Sequence, residues 1–335
     1  MRNTQMEIPI PVEVLAITDP VLCNSELPLH ATFHPLGFSV EITTNSHEVL
    51  AAAEESWGHW GQVFSEPPIR LRIGVAKGSS EECPGMPVTR GWLNMLTMIA
   101  DAENFSVCDM ARGLAFGWFT QAAVENRAYF RYHLLEPMAW DTLTPLYLTP
   151  IHAACVKLAE KTVLLCGDSG AGKSSLSFAC ARRGWTFLAD DSINLIRNRG
   201  DRFVVGHPYS MRFREAGVEL FPELAKQRIM PRATGEMAIE VATASMPEIV
   251  TALTSSVDYI VFLNRQKPGP PSLAAYSKEA AASWFEQVLC YGEKEVRESQ
   301  TRSLRQLLAV PVYELCYRDL DWAVNRLDTL LREGY

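Results

Sequence analysis

Alternating and continuous apolar segments recur along the first part of the chain and predict a mixed α/β unit. Phe38–Thr43 and Ile69–Val75 alternate between apolar and polar residues, as half-buried strands do. Phe105–Cys108 and Gly113–Phe119 predict two more strands, and residues 120–140 follow a largely helical, aromatic-rich pattern. The pattern therefore predicts a separate N-terminal α/β domain over residues 1–145.

Three local features refine this first part. Asn45, with Glu48 three residues later, resembles a capping box that opens a helix extending to about Trp57. Residues 76–90 are rich in Gly, Pro and Ser and predict an exposed loop. The group Trp57-Gly58-His59-Trp60 is open to a ligand-binding interpretation, but aromatic residues at a helix end more often pack against a domain core. We therefore predict packing.

The second part of the chain alternates predicted strands with predicted helices. Prolines and short polar residues interrupt the periodicity near Thr144-Pro145 and Thr149-Pro150, so we place a second domain at residues 146–335. Alternating elements of this kind indicate an α/β fold. The predicted strands are Val163–Cys166, Trp185–Ala189, Val257–Leu263 and Pro311–Leu315, and the predicted helices are Lys278–Leu289, Val296–Leu308 and Trp322–Leu331.

Composition and charge narrow the function classes. The 335 residues are 47% hydrophobic and 21% charged, which is ordinary for a globular protein. The formal net charge of −8 argues against a general affinity for nucleic acid or an anionic membrane. The eight cysteines form no C-x-x-C pair, and several lie in apolar runs, where a cysteine is usually a small buried hydrophobic residue. With no signal-peptide pattern and no long apolar stretch, we expect a soluble cytoplasmic protein.

One segment carries a strong chemical signature. The apolar run Val163–Cys166 is followed by Gly167–Ser174, a full match to the Walker A motif G-x-x-x-x-G-K-[ST], and then by a predicted helix. In this strand–turn–helix context, backbone N–H groups and the helix N-terminus bind phosphates, the Lys contacts the β- and γ-phosphates, and the Ser hydroxyl binds Mg²⁺. A chance match in a glycine-containing turn is the alternative, which the flanking elements disfavour. The predicted nucleotide-binding residues are Gly167, Asp168, Ser169, Gly170, Ala171, Gly172, Lys173, Ser174 and Ser175.

Two adjacent carboxylates, Asp190 and Asp191, end the second predicted strand of this domain. Consecutive side chains of a strand point to opposite faces, so one carboxylate can hold Mg²⁺ while the other faces a substrate. Beside a γ-phosphate, such a pair fits phosphoryl transfer to an alcohol. The alternative is that both residues simply cap a turn, and their position after the phosphate loop favours function.

Further candidates are weaker on spacing alone. His152 begins an apolar stretch, where a lone histidine is usually structural. Arg212 and Arg214 alternate around Phe213, so both face one side of a strand. Lys226, Arg228 and Arg232 follow in a segment that holds Pro231 and Gly235, and a mobile basic loop there would stabilise a transferred phosphoryl group. An ordinary solvated surface is the equal alternative for these cations. Arg265, just after the strand Val257–Leu263, is a weaker candidate still.

These residues together resemble a known family. The segments HAACV, GDSGAGKS, RRGW and ADD, at their spacing within residues 152–191, are similar to the catalytic domain of HPr kinase/phosphorylases. The resemblance implies a kinase core related to the nucleotide domain of phosphoenolpyruvate carboxykinases, with a tendency to oligomerise. It also implies that His152 is an active-site residue, that Asp190 is the general base, and that Ser174 and Asp191 lie near Mg²⁺.

Two departures from the family pattern affect the substrate. Ser175 stands where the family has Glu, and the glycine-rich signature associated with the phosphorylase direction is not evident around residues 205–240. Both put the reverse reaction, and HPr as the substrate, in doubt. Diverged relatives include tailoring kinases that phosphorylate serine in ribosomally made peptides and kinases of small hydroxyl compounds.

The sequence therefore predicts an ATP- and Mg²⁺-dependent kinase of a hydroxyl, first of all Ser in a peptide or protein. Catalysis is assigned to Asp190, His152 and Lys173, and the metal to Ser174 and Asp191. The alternatives are a small-molecule hydroxyl kinase and a nucleotide-binding regulator or partner-binding module with little transfer activity. Residues 1–145 are expected to serve substrate recognition or assembly. The candidate phosphate or substrate contacts are Arg212, Arg214, Arg228 and Arg232.

Overall fold

The chain is a mixed α/β protein that divides into two compact units, Met1–Thr142 and Leu143–Tyr335. The computed structural model describes residues 25–197, 199–200, 202–215, 217–227, 229–231, 237–287 and 293–334. Several sheets and helices occur in these ranges, so the predicted mixed α/β class is confirmed. The roles assigned to the two predicted domains stay predictions.

The first unit contains a seven-stranded sheet in the order β1-β2-β3-β7-β6-β5-β4. Strands β2, β3 and β7 pair in parallel, and the other neighbours pair antiparallel. The strands are β1 Leu29–Phe33, β2 Val40–Thr44, β3 Ile69–Ala76, β4 Val88–Trp92, β5 Met95–Ile99, β6 Phe105–Asp109 and β7 Leu114–Thr120. The helical elements are α1 His47–Trp57, α2 Gln121–Glu125, a short turn at Arg127–Tyr129, a π-helix at Phe130–Leu135, and α3 Glu136–Tyr147, which contains the division between the units.

One prediction in this unit is wrong, and another holds only in part. The capping box is absent, because the Asn45 side chain instead exchanges two hydrogen bonds with the backbone of Val75, at 2.8 and 2.9 Å. Asn45 thus joins the ends of β2 and β3, and α1 begins after Ser46 without a side-chain cap. The predicted loop over residues 76–90 ends early, because β4 begins at Val88 and pairs with β5.

The predicted packing of the aromatic group at the end of α1 is confirmed. Trp57 is 2% exposed and Trp60 is 5% exposed, and the Trp57 ring lies 6.3 Å from that of Phe33. Both indoles are therefore part of the core of the first unit.

The second unit is built on a six-stranded sheet in the order β11-β9-β10-β18-β20-β19. Strands β10, β18 and β20 are parallel, whereas β9, β11 and β19 pair antiparallel with their neighbours. A four-stranded sheet, β17-β13-β12-β8, and a three-stranded sheet, β14-β16-β15, complete the unit. The strands are β8 Leu148–Ile151, β9 Ala153–Leu158, β10 Lys161–Cys166, β11 Thr186–Ala189, β12 Ile193–Ile196, β13 Phe203–Val205, β14 Ser210–Phe213, β15 Ile229–Pro231, β16 Met237–Ala242, β17 Thr254–Ser256, β18 Tyr259–Asn264, β19 Ser272–Ala275 and β20 Val312–Cys316.

Four helices of the second unit agree with the predicted ones to within a few residues, whereas the short helix Gly217–Leu220 was not predicted. In chain order the helices are α4 Lys173–Arg182, α5 Gly217–Leu220, α6 Lys278–Gln287, α7 Lys294–Leu307 and α8 Leu320–Glu333. Leu289, the predicted end of α6, lies outside the described residues. Short 3₁₀ turns occur at Pro35–Gly37, Pro222–Lys226 and Thr243–Ser245. Among the described residues, no helix has the length and apolarity that a bilayer crossing requires.

Strand β10 is buried on both faces of the six-stranded sheet. Val163 and Leu165 belong to one hydrophobic cluster, with α4 and α8, whereas Leu164 and Cys166 belong to another, with α6 and α7. A strand buried on both faces has no polar side, which is why this segment is a continuous apolar run in the sequence. The cysteine prediction also holds here, since Cys155, Cys166 and Cys180 are buried.

Phe178 of α4 tests the core beneath the phosphate loop. Its ring is 1% exposed and packs edge-to-face on Phe213 at 5.1 Å and on Phe221 at 4.8 Å. We expect Phe178→Ala to lower the free energy of unfolding by about 3–5 kcal/mol, because it removes a buried ring and leaves a cavity. Urea denaturation measures this change. Val250→Ala, at a 56% exposed position, is the control and should change stability by less than about 0.5 kcal/mol. Equal stability of both variants would contradict the packing.

Candidate active site

The candidate site lies at one edge of the six-stranded sheet, where several chain segments end or begin. Strands β10, β18 and β20 are parallel, so their carboxyl ends lie at the same edge. Strand β9 runs antiparallel to β10, with Ala153 opposite Cys166, and so begins at this edge. Strand β11 runs antiparallel to β9 and ends there. The topology therefore brings the loop after β10 together with His152, the Asp pair, and the residues that follow β18 and β20.

The phosphate-loop motif adopts backbone conformations that glycine permits and that other residues rarely adopt. Gly167, Gly170 and Gly172 have φ angles of 144°, 85° and 99°, in the region that residues with a side chain rarely adopt. Gly172 is the N-cap of α4, so the free N–H groups of the helix begin at the loop. A Cβ at position 172 would lie 2.6 Å from the Tyr317 hydroxyl, so this position also lacks space for a side chain.

Lys173 is buried among oxygen and nitrogen acceptors of the site. Its Nζ donates to the carbonyl oxygen of Gly167 at 2.8 Å and to that of Asp168 at 3.3 Å, and it lies 3.0 Å from Nε2 of His152. Burial lowers the pKa of Lys173, and the surrounding carboxylates, Asp191 above all, oppose that shift. The ammonium group is therefore held at the base of the loop.

His152 connects this lysine to a carboxylate. Its Nδ1 lies 3.5 Å from Oδ1 of Asp191, on the opposite side of the ring from Lys173. An ammonium group can only donate, so Nε2 of His152 accepts from Lys173 and the ring proton is carried on Nδ1, toward Asp191. The three side chains form a polar chain along the wall of the site.

The two adjacent carboxylates occupy different environments. Asp191 is partly exposed and lines the cavity, whereas Asp190 is 9% exposed and accepts a hydrogen bond from the backbone N–H of Arg212 at 2.8 Å. Burial raises the pKa of Asp190 to about 6, and the hydrogen bond from Arg212 opposes that rise. Asp190 is not among the residues that line the cavity. It lies instead against β14.

A cavity of about 300 Å³ lies in front of the loop, within the second unit. Four cationic side chains line it, which suits a polyanionic ligand, and part of the wall is apolar, formed by Phe213, Leu220, Met237 and Ala238. The residues that line it include His152, Ser169, Gly170, Gly172, Lys173, Ser174, Ser175, Asp191, Arg212, Arg214 and Arg265.

Two of the four predicted arginines line the cavity, and the other two lie outside the described residues. Arg212 is on β14 and Arg214 directly follows it, and both line the cavity, with Phe213 buried between them. Arg212 forms an ion pair with Glu240 at 3.3 Å, and Arg214 donates to the Ser169 hydroxyl at 2.8 Å. Arg228 and Arg232 lie outside the described residues. Lys226 ends a 3₁₀ turn and does not line the cavity.

The structure places two further residues near the loop: Arg265, which is a weak candidate from the sequence, and Tyr317, which the sequence does not single out. Arg265 follows β18 and lines the cavity, and its guanidinium lies 5.8 Å from the centre of the Tyr317 ring. Tyr317 follows β20 and packs beneath Gly172. In the sequence, each of these residues lies just after a predicted strand. That position indicates a place beside the loop only when the strand order β10-β18-β20 is known.

The donor set fits a magnesium nucleotide. Among the described residues, no group of three or more His, Cys, Asp or Glu side chains could hold a metal by itself. Mg²⁺ usually keeps several waters and binds through one or two protein groups plus substrate phosphates. Ser174 and Asp191 on the cavity wall match that mode, and Gly170 and Gly172 of the loop line the same cavity.

Comparison with known proteins identifies a related class. No protein-family model matches the chain. The chain is 31% identical over 170 residues to an HPr kinase/phosphorylase from an Exiguobacterium species; the match covers 51% of this chain and 48% of that protein. The chain thus spans about half the length of this curated relative. An HPr(Ser) kinase/phosphatase structure from Coxiella burnetii is similar with a TM-score of 0.31 and 14% identity, covering 55% of this chain and 99% of that chain.

The curated relative confirms the resemblance that residues 152–191 predict. The chain is similar to HPr kinase/phosphorylase, at low identity. The roles of individual site residues stay predictions.

Gly172→Ala tests the fit between the loop and Tyr317. The substitution introduces a left-handed alanine, at about 1–2 kcal/mol, and also a contact of 2.6 Å with a buried hydroxyl. Gly184→Ala is the matched control, because Gly184 has a similar φ of 83° and no atom within 4 Å of its Cβ position. We expect Gly172→Ala to lower the free energy of unfolding more than the control does. Tyr317→Phe should recover part of the difference. No recovery in the double variant would contradict the contact.

Asp190 should make stability depend on pH. Protonation of this carboxyl favours the folded state, so its contribution is fully present below the ordinary pKa of 3.8 and is lost as the pH rises through about 6. The shift corresponds to about 3 kcal/mol. We therefore expect the free energy of unfolding of the wild type, relative to Asp190→Asn, to fall between about pH 4 and pH 6.5 and then to level off. Denaturation with a chelator present measures this, and a pH-independent difference would contradict the burial of the carboxylate.

Proposed function

We propose that the protein is an ATP- and Mg²⁺-dependent kinase that transfers the γ-phosphoryl group to a hydroxyl, first of all Ser of a peptide or protein. The observation that carries the proposal is the convergence of a glycine phosphate loop, a buried lysine and an Asp pair at one sheet edge. The similarity to HPr kinase/phosphorylase supports the same class.

The loop binds the phosphates of the nucleotide. Backbone N–H groups of Gly170 and Gly172 and the start of α4 attract negative charge, and Lys173 supplies a cation from below. Ser174 and Asp191 hold Mg²⁺, which offsets charge on the phosphates when bound. Arg212 and Arg214 line the same cavity, where they would contact the transferred group or the acceptor.

The transfer requires a base for the acceptor hydroxyl. Asp190 would take the proton while the hydroxyl oxygen forms a bond to the γ-phosphorus and the bond between that phosphorus and the β–γ bridging oxygen breaks to release ADP. Because Asp190 does not line the cavity, this assignment requires its carboxylate to become accessible when the substrate binds. A pKa of about 6 leaves Asp190 ionised at neutral pH and a stronger proton acceptor than an ordinary carboxylate. His152 assists by fixing the orientations of Lys173 and Asp191 through its two ring nitrogens.

Three substitutions separate the proposed roles. Asp190→Asn should retain ATP binding and reduce transfer at least about 100-fold, as expected for loss of a general base. Lys173→Ala should weaken ATP binding itself. Asp191→Asn should raise the Mg²⁺ concentration needed for half-maximal activity. The measurement is transfer of labelled phosphate from ATP to a pool of Ser-containing peptides, with ATP binding followed separately by calorimetry.

The outcomes distinguish the proposal from its alternatives. Transfer at the wild-type rate by Asp190→Asn would show that the base is another group. ATP binding without transfer to any peptide would favour a small-molecule hydroxyl kinase or a nucleotide-binding regulator. A purified protein that does not bind ATP at all would overturn the proposal.

A further inference from the structure

A second cavity adjoins the loop cavity on the side of α8. Its volume is about 470 Å³, and it shares Arg265 and Leu220 with the loop cavity. We call it the arginine cleft, because four arginines line it together with two aspartates. These residues are Arg182, Arg183, Arg265, Arg318, Asp319 and Asp321.

The sheet topology explains why the cleft lies beside the phosphate loop. Arg265 directly follows β18, and Arg318 follows β20 after one intervening residue. Both strands are parallel to β10 and end at the edge that carries the loop. The two arginines are therefore placed next to the loop by the same pairing that places the loop itself.

The carboxylates of the cleft already have partners within the second unit. Asp321 pairs with Arg183 at 2.6 Å, and Asp319 accepts from the backbone N–H of Trp322 as the N-cap of α8. Arg182 pairs with Glu223 at 3.0 Å. Among the described residues, no carboxylate forms an ion pair with Arg265 or Arg318. The cleft therefore presents two guanidinium groups that form no ion pair with a described carboxylate, and its four arginines outnumber its two aspartates.

Arg265 is held in place rather than left as a loose surface side chain. It lies over the ring of Tyr317, which is 2% exposed, and the aromatic face attracts a cation. Burial raises the pKa of Tyr317, so its hydroxyl stays neutral. That hydroxyl has no hydrogen-bond partner among the described residues and lies against Gly172. Arg265 is thus anchored at the point where the two cavities meet.

We propose that the arginine cleft binds a carboxylate of the acceptor substrate, so that the phosphorylated hydroxyl belongs to an acidic molecule. The proposal rests on the kinase function above and names its substrate class: a peptide whose Ser is flanked by Asp or Glu. Guanidinium groups bind carboxylates through paired, charge-assisted hydrogen bonds. A chain of net charge −8 would repel such a substrate at long range, so the cleft provides the local attraction that docking requires.

The test uses matched peptides and matched variants. Three Ser peptides differ only in the flanking residues, which are Asp and Glu, Asn and Gln, or Lys. The test variant is Arg318→Gln, in the cleft, and the control is Arg332→Gln, which removes the same charge from the exposed end of α8. Each protein is assayed for transfer and for binding of an acidic peptide in which Ser is replaced by Ala.

We expect the wild type to prefer the acidic peptide over the neutral one. Arg318→Gln should raise the KM for the acidic peptide about tenfold, which is the loss expected for one charge-assisted contact, with kcat and the KM for ATP unchanged. Binding of the Ser→Ala acidic peptide should weaken by the same factor. Arg332→Gln should match the wild type throughout.

The outcomes separate this inference from the proposed function. Equal use of acidic and neutral peptides would overturn the inference and leave the kinase intact. Arg318-dependent binding of the acidic peptide without transfer to any peptide would support the cleft and count against the peptide kinase. Glycerate, a free hydroxy acid, serves as a further acceptor; Arg318-dependent phosphorylation of glycerate but not of peptides would support the carboxylate site and overturn its peptide assignment.

Discussion

The parallel pairing of β10, β18 and β20 is the constraint on which the second unit depends. Both faces of β10 are buried, so its alternate apolar side chains pack into the two hydrophobic clusters on either side of the sheet. Because the three strands end together, the residues that follow them lie at one edge of the sheet, where the candidate site is found. The antiparallel strands β9 and β11 bring His152 and the Asp pair to the same edge.

Buried charge defines the chemistry at that edge. Lys173, His152 and Asp191 form a continuous polar chain, while Asp190 lies apart against the backbone of Arg212. Buried ionisable groups with shifted pKa values are typical of functional sites, so the burial of Lys173 and Asp190 supports a candidate site at this edge. Asp191 lines the cavity, whereas burial raises the pKa of Asp190.

Local patterns in the sequence predicted the elements next to the loop because those signals are contiguous. The apolar run of β10, the glycine turn and the start of α4 all lie within one segment. Features that depend on distant pairing were not predictable in this way. Asn45 fits a helix cap by spacing, yet its partner is Val75 on a neighbouring strand. Arg265 could be placed beside the loop only once the strand order, with β18 next to β10, was known.

The central claim is that the loop cavity binds a magnesium nucleotide, and calorimetric titration of the purified protein with ATP tests it most directly. The account predicts one nucleotide per chain, with affinity that depends on Mg²⁺ and is weakened by Lys173→Ala. Gly172→Ala should weaken it as well, because a side chain there disturbs the loop. Absence of binding at millimolar ATP, or equal affinity of wild type and Lys173→Ala, would contradict the account.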